Sequence, residues 1–175
     1  IKTSANCSVE GNMLTGGIAG MAEGNISNCE NHAVVNGTDM VGGLFGDYIS
    51  RDNSITSCAN YGVVTGTGNS VGGIAGYFSS GTIQNSANYG DVTGTYFVGN
   101  LIGNADYCEL NNVLGTGNVT ATSIDYAGLL VGGINNSSGT ASGILAYNSS
   151  AKLTINKTEQ TSEAVKAIGY GSLTY

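Results

Sequence analysis

One position in this chain keeps returning as an aromatic ring. His32, Tyr61, Tyr89 and Tyr147, with Thr116 between the last two, stand at the same point of a recurring segment, at or just before a corner. Rings repeated at a fixed spacing can form a strip that holds sugar rings or anchors a partner protein. The same spacing also arises when outward rings pair along neighbouring strands and steady the stack. These four residues are the expected ligand-binding positions, and a structural ladder is the competing expectation.

Other candidate chemistry is thinner. The cysteines at 7, 29, 58 and 108 lack the C-x-x-C spacing of a metal site. Cys29 and Cys58 share one column and are expected as buried free thiols, because stacked parallel Cβ vectors suit a disulfide poorly. A Cys–His catalytic pair is not expected, since His32 falls on the outward column. The carboxylates Asp39, Asp47, Asp52, Asp91, Asp106 and Asp125 spell neither an EF-hand loop nor the Gly-Gly-x-Gly-x-Asp calcium repeat. Polysaccharide cleavage needs clustered carboxylates beside a basic residue, and Arg51 alone in its corner does not make that cluster. No catalytic residue, metal or cofactor is expected.

A second outward column reads Thr65-Gly66-Thr67, Thr93-Gly94-Thr95 and Thr120-Ala121-Thr122, with Asn36-Gly37-Thr38 as an imperfect first member. Flat Thr-x-Thr arrays occur on ice-binding solenoids, but ordinary outward strand threonines account for this short array better. Asn31, Asn60 and Asn88 align, as do Asn28, Asn85 and Asn112. The side-chain amide bonds neighbouring coils and the residue tolerates left-handed backbone, so both sets are expected as structural ladders.

The elements that carry these columns are repeats. The hexamer at 71–76, Val-Gly-Gly-Ile-Ala-Gly, has close copies at 15–20, 41–46, 98–103 and 127–132, with starts 26, 30, 27 and 29 residues apart. A period in this range marks a stacked architecture. After each hexamer comes a block of 13 residues, at 26–38, 55–67, 83–95 and 110–122. Length varies only between the two blocks, as corners tolerate. Ile26, Ile55, Ile83 and Leu110 form one apolar column. Cys29, Cys58, Ser86 and Val113 form a second, and Val35, Val64, Val92 and Val119 a third. In the hexamers Ile18, Leu44, Ile74, Leu101 and Leu130 form a fourth. Stacked at the ~4.8 Å spacing of neighbouring strands, these columns become inward ladders shared between coils. The next hexamer column (Ala19, Phe45, Ala75, Ile102, Val131) is also apolar, so strict alternation fails and a bulge or a covered outer face is required.

The expected fold is an all-β parallel β-helix (β-solenoid) of about five coils of 26–30 residues over residues 1–150. A C-terminal capping element over 151–175 is expected to hold a strand at 153–155 and a short helix at 161–168. Ala5-Asn6-Cys7 roughly echoes Ala59-Asn60-Tyr61, so the chain is expected to begin part-way through a unit and to be part of a larger polypeptide.

Composition agrees. Of 175 residues 29 are glycine, none is proline or tryptophan, and the hydrophobic fraction of 41% is too high for disorder. Net charge is −7, and the five basic residues are scattered, so nucleic-acid binding is not expected. No run of apolar residues is long enough to span a bilayer as a helix, so no membrane insertion is expected.

The hexamer followed by Gly-Thr-Ile-Gln-Asn-Ser-Ala-Asn-Tyr-Gly-Asp-Val-Thr-Gly (81–94) resembles the GLUG repeat of bacterial surface proteins. The matching residues are Gly43-Leu44-Phe45-Gly46, Gly73-Ile74-Ala75-Gly76, Ile26-Ser27-Asn28-Cys29 and Val92-Thr93-Gly94. The resemblance covers residues 14–122 well and 127–148 loosely. It implies a secreted or cell-surface location and a non-enzymatic role in cell adhesion or as a stalk. The partner would be a host or matrix protein or a glycan. Some GLUG-bearing proteins are immunoglobulin A-cleaving zinc proteases, but this chain has one histidine and no His-Glu-x-x-His, so that activity does not carry over. The alternative is a carbohydrate-binding solenoid, less a carbohydrate-active one, using the tyrosine strip and the corner at 47–54.

Overall fold

In the computed structural model the chain is a β-solenoid, all-β and with no helix among the described residues. Described are residues 1–122, 126–135, 139–147, 152–155, 157–159, 168–170 and 173–174. Four parallel sheets run the length of the stack. One coil shows the order. Ser54–Thr56 and Ala59–Asn60 lie in sheet I, Val64–Gly66 in sheet II, Asn69–Gly72 in sheet III and Ala75–Phe78 in sheet IV. The levels enclose about four turns rather than the five coils expected.

The expected columns are register partners. Ile55 pairs with Ile26 and Ile83, and Ile83 with Leu110. Val64 pairs with Val35 and Val92, and Val92 with Val119. The apolar columns form two cores. Between sheets I and IV lie the isoleucine and cysteine columns with Leu44, Phe45, Tyr48, Ile74 and Phe78. Between sheets II and III lie two valine columns, Val35–Val64–Val92–Val119 and Val41–Val71–Val98.

The hexamer explains the division, because it is a turn. Its first two residues end the sheet III strand and its fifth begins the sheet IV strand, so the bend falls between them. Leu44 and Phe45 are both fully buried in the same core. Both apolar columns point inward because the backbone turns between them, which resolves the failed alternation. The third glycine of the motif lets the two strands touch: a Cβ on Gly46 would overlap the backbone of Leu14, Thr15 and Gly20. Just before the first four hexamers Leu14, Met40, Ser70 and Phe97 hold a left-handed backbone, with φ of 53°, 51°, 61° and 50°. L-residues adopt it at a cost of roughly 1–2 kcal/mol each. Its recurrence at the same step of four successive coils shows that the stack imposes it.

Beyond 150, Leu153–Ile155 extends sheet II beside Val119 and turns back antiparallel into Thr158–Glu159. Ile168–Tyr170 extends sheet IV and Leu173–Thr174 sheet I. The helix expected over 161–168 lies outside the described residues except for Ile168, which is in a strand.

Candidate functional site

The aromatic column is real over three levels. His32 stacks on Tyr61 with ring centroids 4.5 Å apart and planes 11° apart, and Tyr61 on Tyr89 at 4.8 Å and 10°. Each residue directly follows a sheet I strand, and backbone bonds from Tyr61 N–H to Asn31 O and from Tyr89 N–H to Asn60 O fix the level. Nearly parallel rings at this spacing cover one another's faces, so the strip presents ring edges to solvent. Tyr89 keeps one face without a ring neighbour, because the next level carries Thr116, whose N–H bonds Asn88 O. Tyr147 pairs with Gly115 and so occupies the level of the Asn60 column, one residue out of step. At the other end Glu30 accepts from Lys2 at 2.7 Å and contacts His32 Nε2 at 3.1 Å. The Lys2 hydrogen bond, then that of His32, holds the Glu30 carboxyl below its ordinary range.

Behind the strip the asparagines form a buried amide ladder. Asn31, Asn60 and Asn88 are fully buried. Asn31 Nδ2 donates to Asn60 Oδ1 at 2.8 Å, and Asn60 Nδ2 to Asn88 Oδ1 at 2.6 Å. Each also donates to the backbone carbonyl two residues on, at Ala33, Gly62 and Gly90. The second glycine of the first three hexamers faces these amides: a Cβ on Gly17 would overlap Asn31, one on Gly43 Asn60, and one on Gly73 Asn88.

At the next level the sequence changes on both sides. The sheet I position opposite Asn88 is Gly115, and the hexamer glycine is replaced by Asn100. Asn100 reaches across from the opposite wall, accepts from Asn88 Nδ2 at 2.9 Å and donates to Gly117 O at 2.6 Å. The ladder therefore changes walls without a break. At its start Thr3 Oγ1 donates to Asn31 Oδ1, so Thr3, not Asn6, occupies the rung expected from Ala5-Asn6-Cys7. Sequence reasoning missed Asn100 and Thr3, and the paired exchange of Gly and Asn at one level was the signal available.

The cysteines are structural. Cys29 N–H donates to Cys58 Sγ and Cys58 N–H to Ser86 Oγ, while each side chain bonds a carbonyl two residues back. All four cysteines are free, with Cys7 exposed and the others buried. Burial pushes the Cys58 thiol up, and burial followed by the Glu109 charge pushes Cys108 up to about 12. Thr65 pairs with Thr93, and Thr93 with Thr120, as aligned. The second threonines bond along the stack at the surface, Thr95 Oγ1 to Thr67 O and Thr122 Oγ1 to Thr95 O, which commits their hydroxyls to backbone.

The 47–54 corner borders a recess. A cavity of ≈ 770 Å³ is lined by Glu23, Ser50, Arg51, Asp52, Ser79 and Asp106, among others, and a smaller one of ≈ 240 Å³ by Arg51, Asp52, Tyr107 and Glu109. Beside it Tyr77 Oη donates to Asp106 Oδ1 at 2.7 Å, as does Asn135 Nδ2 at 3.2 Å. Burial, then the Asp106 bond, pushes Tyr77 up to about 12. Burial, then the Asp106 charge, pushes the Asp47 carboxyl up. Among the described residues no three His, Cys, Asp or Glu side chains gather as a metal group. Asp125 lies outside the described residues. No protein-family model, curated protein or solved structure matches the chain.

Proposed function

We propose that the chain is a non-catalytic, rod-like repeat module of a secreted or surface-attached bacterial protein, serving as a stalk or an adhesive spacer. The observation that carries this is the amide ladder. A fully buried run of side chains, each bonded to the next level, ties successive coils into one stiff unit. The surface location and bacterial origin rest on the GLUG-like motif, whose recurring positions in this chain are the turn glycines, the cysteine column and the valine column of the coil. Single-molecule pulling from the two ends tests the rod reading. Expected is one cooperative rupture, at a force that falls in Asn60→Ala. Coil-by-coil unravelling at a force the variant does not change overturns it.

A second reading, carbohydrate binding, is favoured by the 47–54 corner. Arg51, three carboxylates and several serines meet there in one recess, and sugars are recognised by such convergent polar groups. The stacked faces of the tyrosine strip support this less, except at Tyr89. A glycan array decides. Binding lost in Arg51→Ala places sugar at the corner, and binding lost only in Tyr89→Ala places it at the end of the strip. No binding by the parent chain removes this reading.

A further inference from the structure

Asp47 is an acid buried without a counter-ion. It is 9% exposed, and its Oδ1 has no hydrogen-bond donor. Among the described residues the ion pairs are Lys2–Glu30, His32–Glu30 and Lys152–Glu159, so no cation pairs with Asp47. Its register neighbours on sheet IV are Met21 and Tyr77. Met21 has no proton to offer, and the one hydroxyl proton of Tyr77 is committed to Asp106 Oδ1 at 2.7 Å. One step further along the column Asn104 Oδ1 also lacks a donor. An amide cannot take up a proton, whereas a carboxyl can. A buried carboxylate with an empty acceptor is costlier than the neutral acid, so the fold favours Asp47 with its proton.

The surroundings act in the same direction. The charged and titratable groups on the elements packed around Asp47 are Glu23 just past strand Ala19–Ala22, Tyr77 on strand Ala75–Phe78, Asp106 just past strand Ile102–Ala105, and Arg51 and Asp52 in the 47–54 corner. Three are acids and one is a cation, so their sum resists a further negative charge. Burial, then the Asp106 charge, pushes the Asp47 carboxyl up accordingly. Asp47 also stands where the chain leaves sheet IV for the corner, and two residues on the Ile49 N–H donates to Ala22 O at 2.9 Å. We propose that Asp47 is an acid-sensitive latch at the foot of the 47–54 corner: with its proton it seats the corner on sheet IV, and without it a buried negative charge faces Asp106 and loosens the corner. Between the ordinary aspartate value of about 3.9 and the higher value in the fold, the folded chain holds a proton that the unfolded chain has released. Stability from this group is therefore complete below that window and is lost as pH rises through it. The latch holds whether or not the recess takes a sugar.

Carboxyl-carbon NMR of the whole labelled chain tests this directly. Expected is an Asp47 midpoint above the ordinary value of about 3.9, lowered in Asp106→Asn, which keeps an acceptor for Tyr77 and removes the charge. Melting curves of the parent beside Asp47→Asn give the second readout, because the comparison cancels the acid titration of the other carboxylates in a chain of net charge −7. The parent should gain on Asp47→Asn as pH falls from about 8 to about 4, by roughly 3–5 °C for each tenfold by which the fold favours the proton. Near pH 8 the Ile49 amide should exchange its hydrogen faster in the parent than in Asp47→Asn. The proposal is overturned if Asp47 titrates at or below the ordinary value, if Asp106→Asn leaves its midpoint unmoved, or if the gap between the two melting curves is the same at both ends of the range. Equal Ile49 exchange in parent and variant overturns the latch as well. Should Asp47→Asn not fold, the NMR titration of the parent and of Asp106→Asn decides alone.

Discussion

Exchanging Asn100 and Gly115 is the sharpest perturbation of the ladder. Asn100→Gly removes two buried hydrogen bonds, from Asn88 Nδ2 at 2.9 Å and to Gly117 O at 2.6 Å. Each is worth about 0.5–1.5 kcal/mol, and the orphaned Gly117 carbonyl adds roughly 1–3 kcal/mol, so a loss of about 3 kcal/mol is expected. Gly115→Asn alone inserts a Cβ 2.7 Å from Asn100 Oδ1 and 3.1 Å from Leu130 Cδ2, and overpacking of this kind costs about 1–3 kcal/mol. In the double variant the first obstruction is gone and the new asparagine occupies the position that Asn88 holds one level earlier. The two changes should therefore not add. The double variant is expected within about 1 kcal/mol of the parent, where additivity would give a loss near 5 kcal/mol. Urea unfolding followed by circular dichroism measures all four corners of the cycle. In a chain of this length 1 kcal/mol moves the melting temperature by roughly 2–4 °C, so Asn100→Gly should lower it by about 6–12 °C. A double variant no more stable than Asn100→Gly refutes the reasoning.

Three further outcomes are expected. Gly46→Ala sets a Cβ against the backbone of Leu14, Thr15 and Gly20; backbone cannot yield as a side chain can, so a loss above about 3 kcal/mol or failure to fold is expected, read from soluble yield and the melting curve. Tyr61→Ala removes two ring contacts and Tyr89→Ala one; at about 0.5–1.5 kcal/mol per contact, unfolding should show the first costing about twice the second. A thiol reagent near pH 8 should label Cys7 at once and the other cysteines only on unfolding. Because the Cys108 thiol is pushed up to about 12 in the fold, its contribution to stability is complete below the ordinary cysteine value of about 8.5 and is lost as pH rises from there towards 12. Melting curves against pH, parent beside Cys108→Ala, should diverge in that alkaline window and not below it.

The inward columns were legible because period and residue type agree: isoleucine, valine and cysteine recur at fixed places in each block, and stacking turns sequence period directly into contact. The hexamer was harder, since its two adjacent apolar columns violate a strand's alternation. Only the turn between Gly42 and Phe45 and the touching backbones at Gly46 reconcile them. Tyr147 misled because it follows an irregular stretch, where register shifts between Asn111 and Val113 move the count by one. Asn100 was passed over because it replaces a glycine in a motif recognised by its glycines, and its partner change lies 15 residues on.

The wall-changing ladder also sets a rule for length. From Asn31 to Asn100 each storey supplies one carboxamide, from either wall, where the other wall offers glycine. Insertions, deletions and shuffled units are then admissible without retuning the cross-section, while a coil with glycine on both walls, or asparagine on both, is a fault line. Such a molecule can lengthen or shorten by whole storeys while its corner loops diverge freely, so its reach and its surface can vary independently.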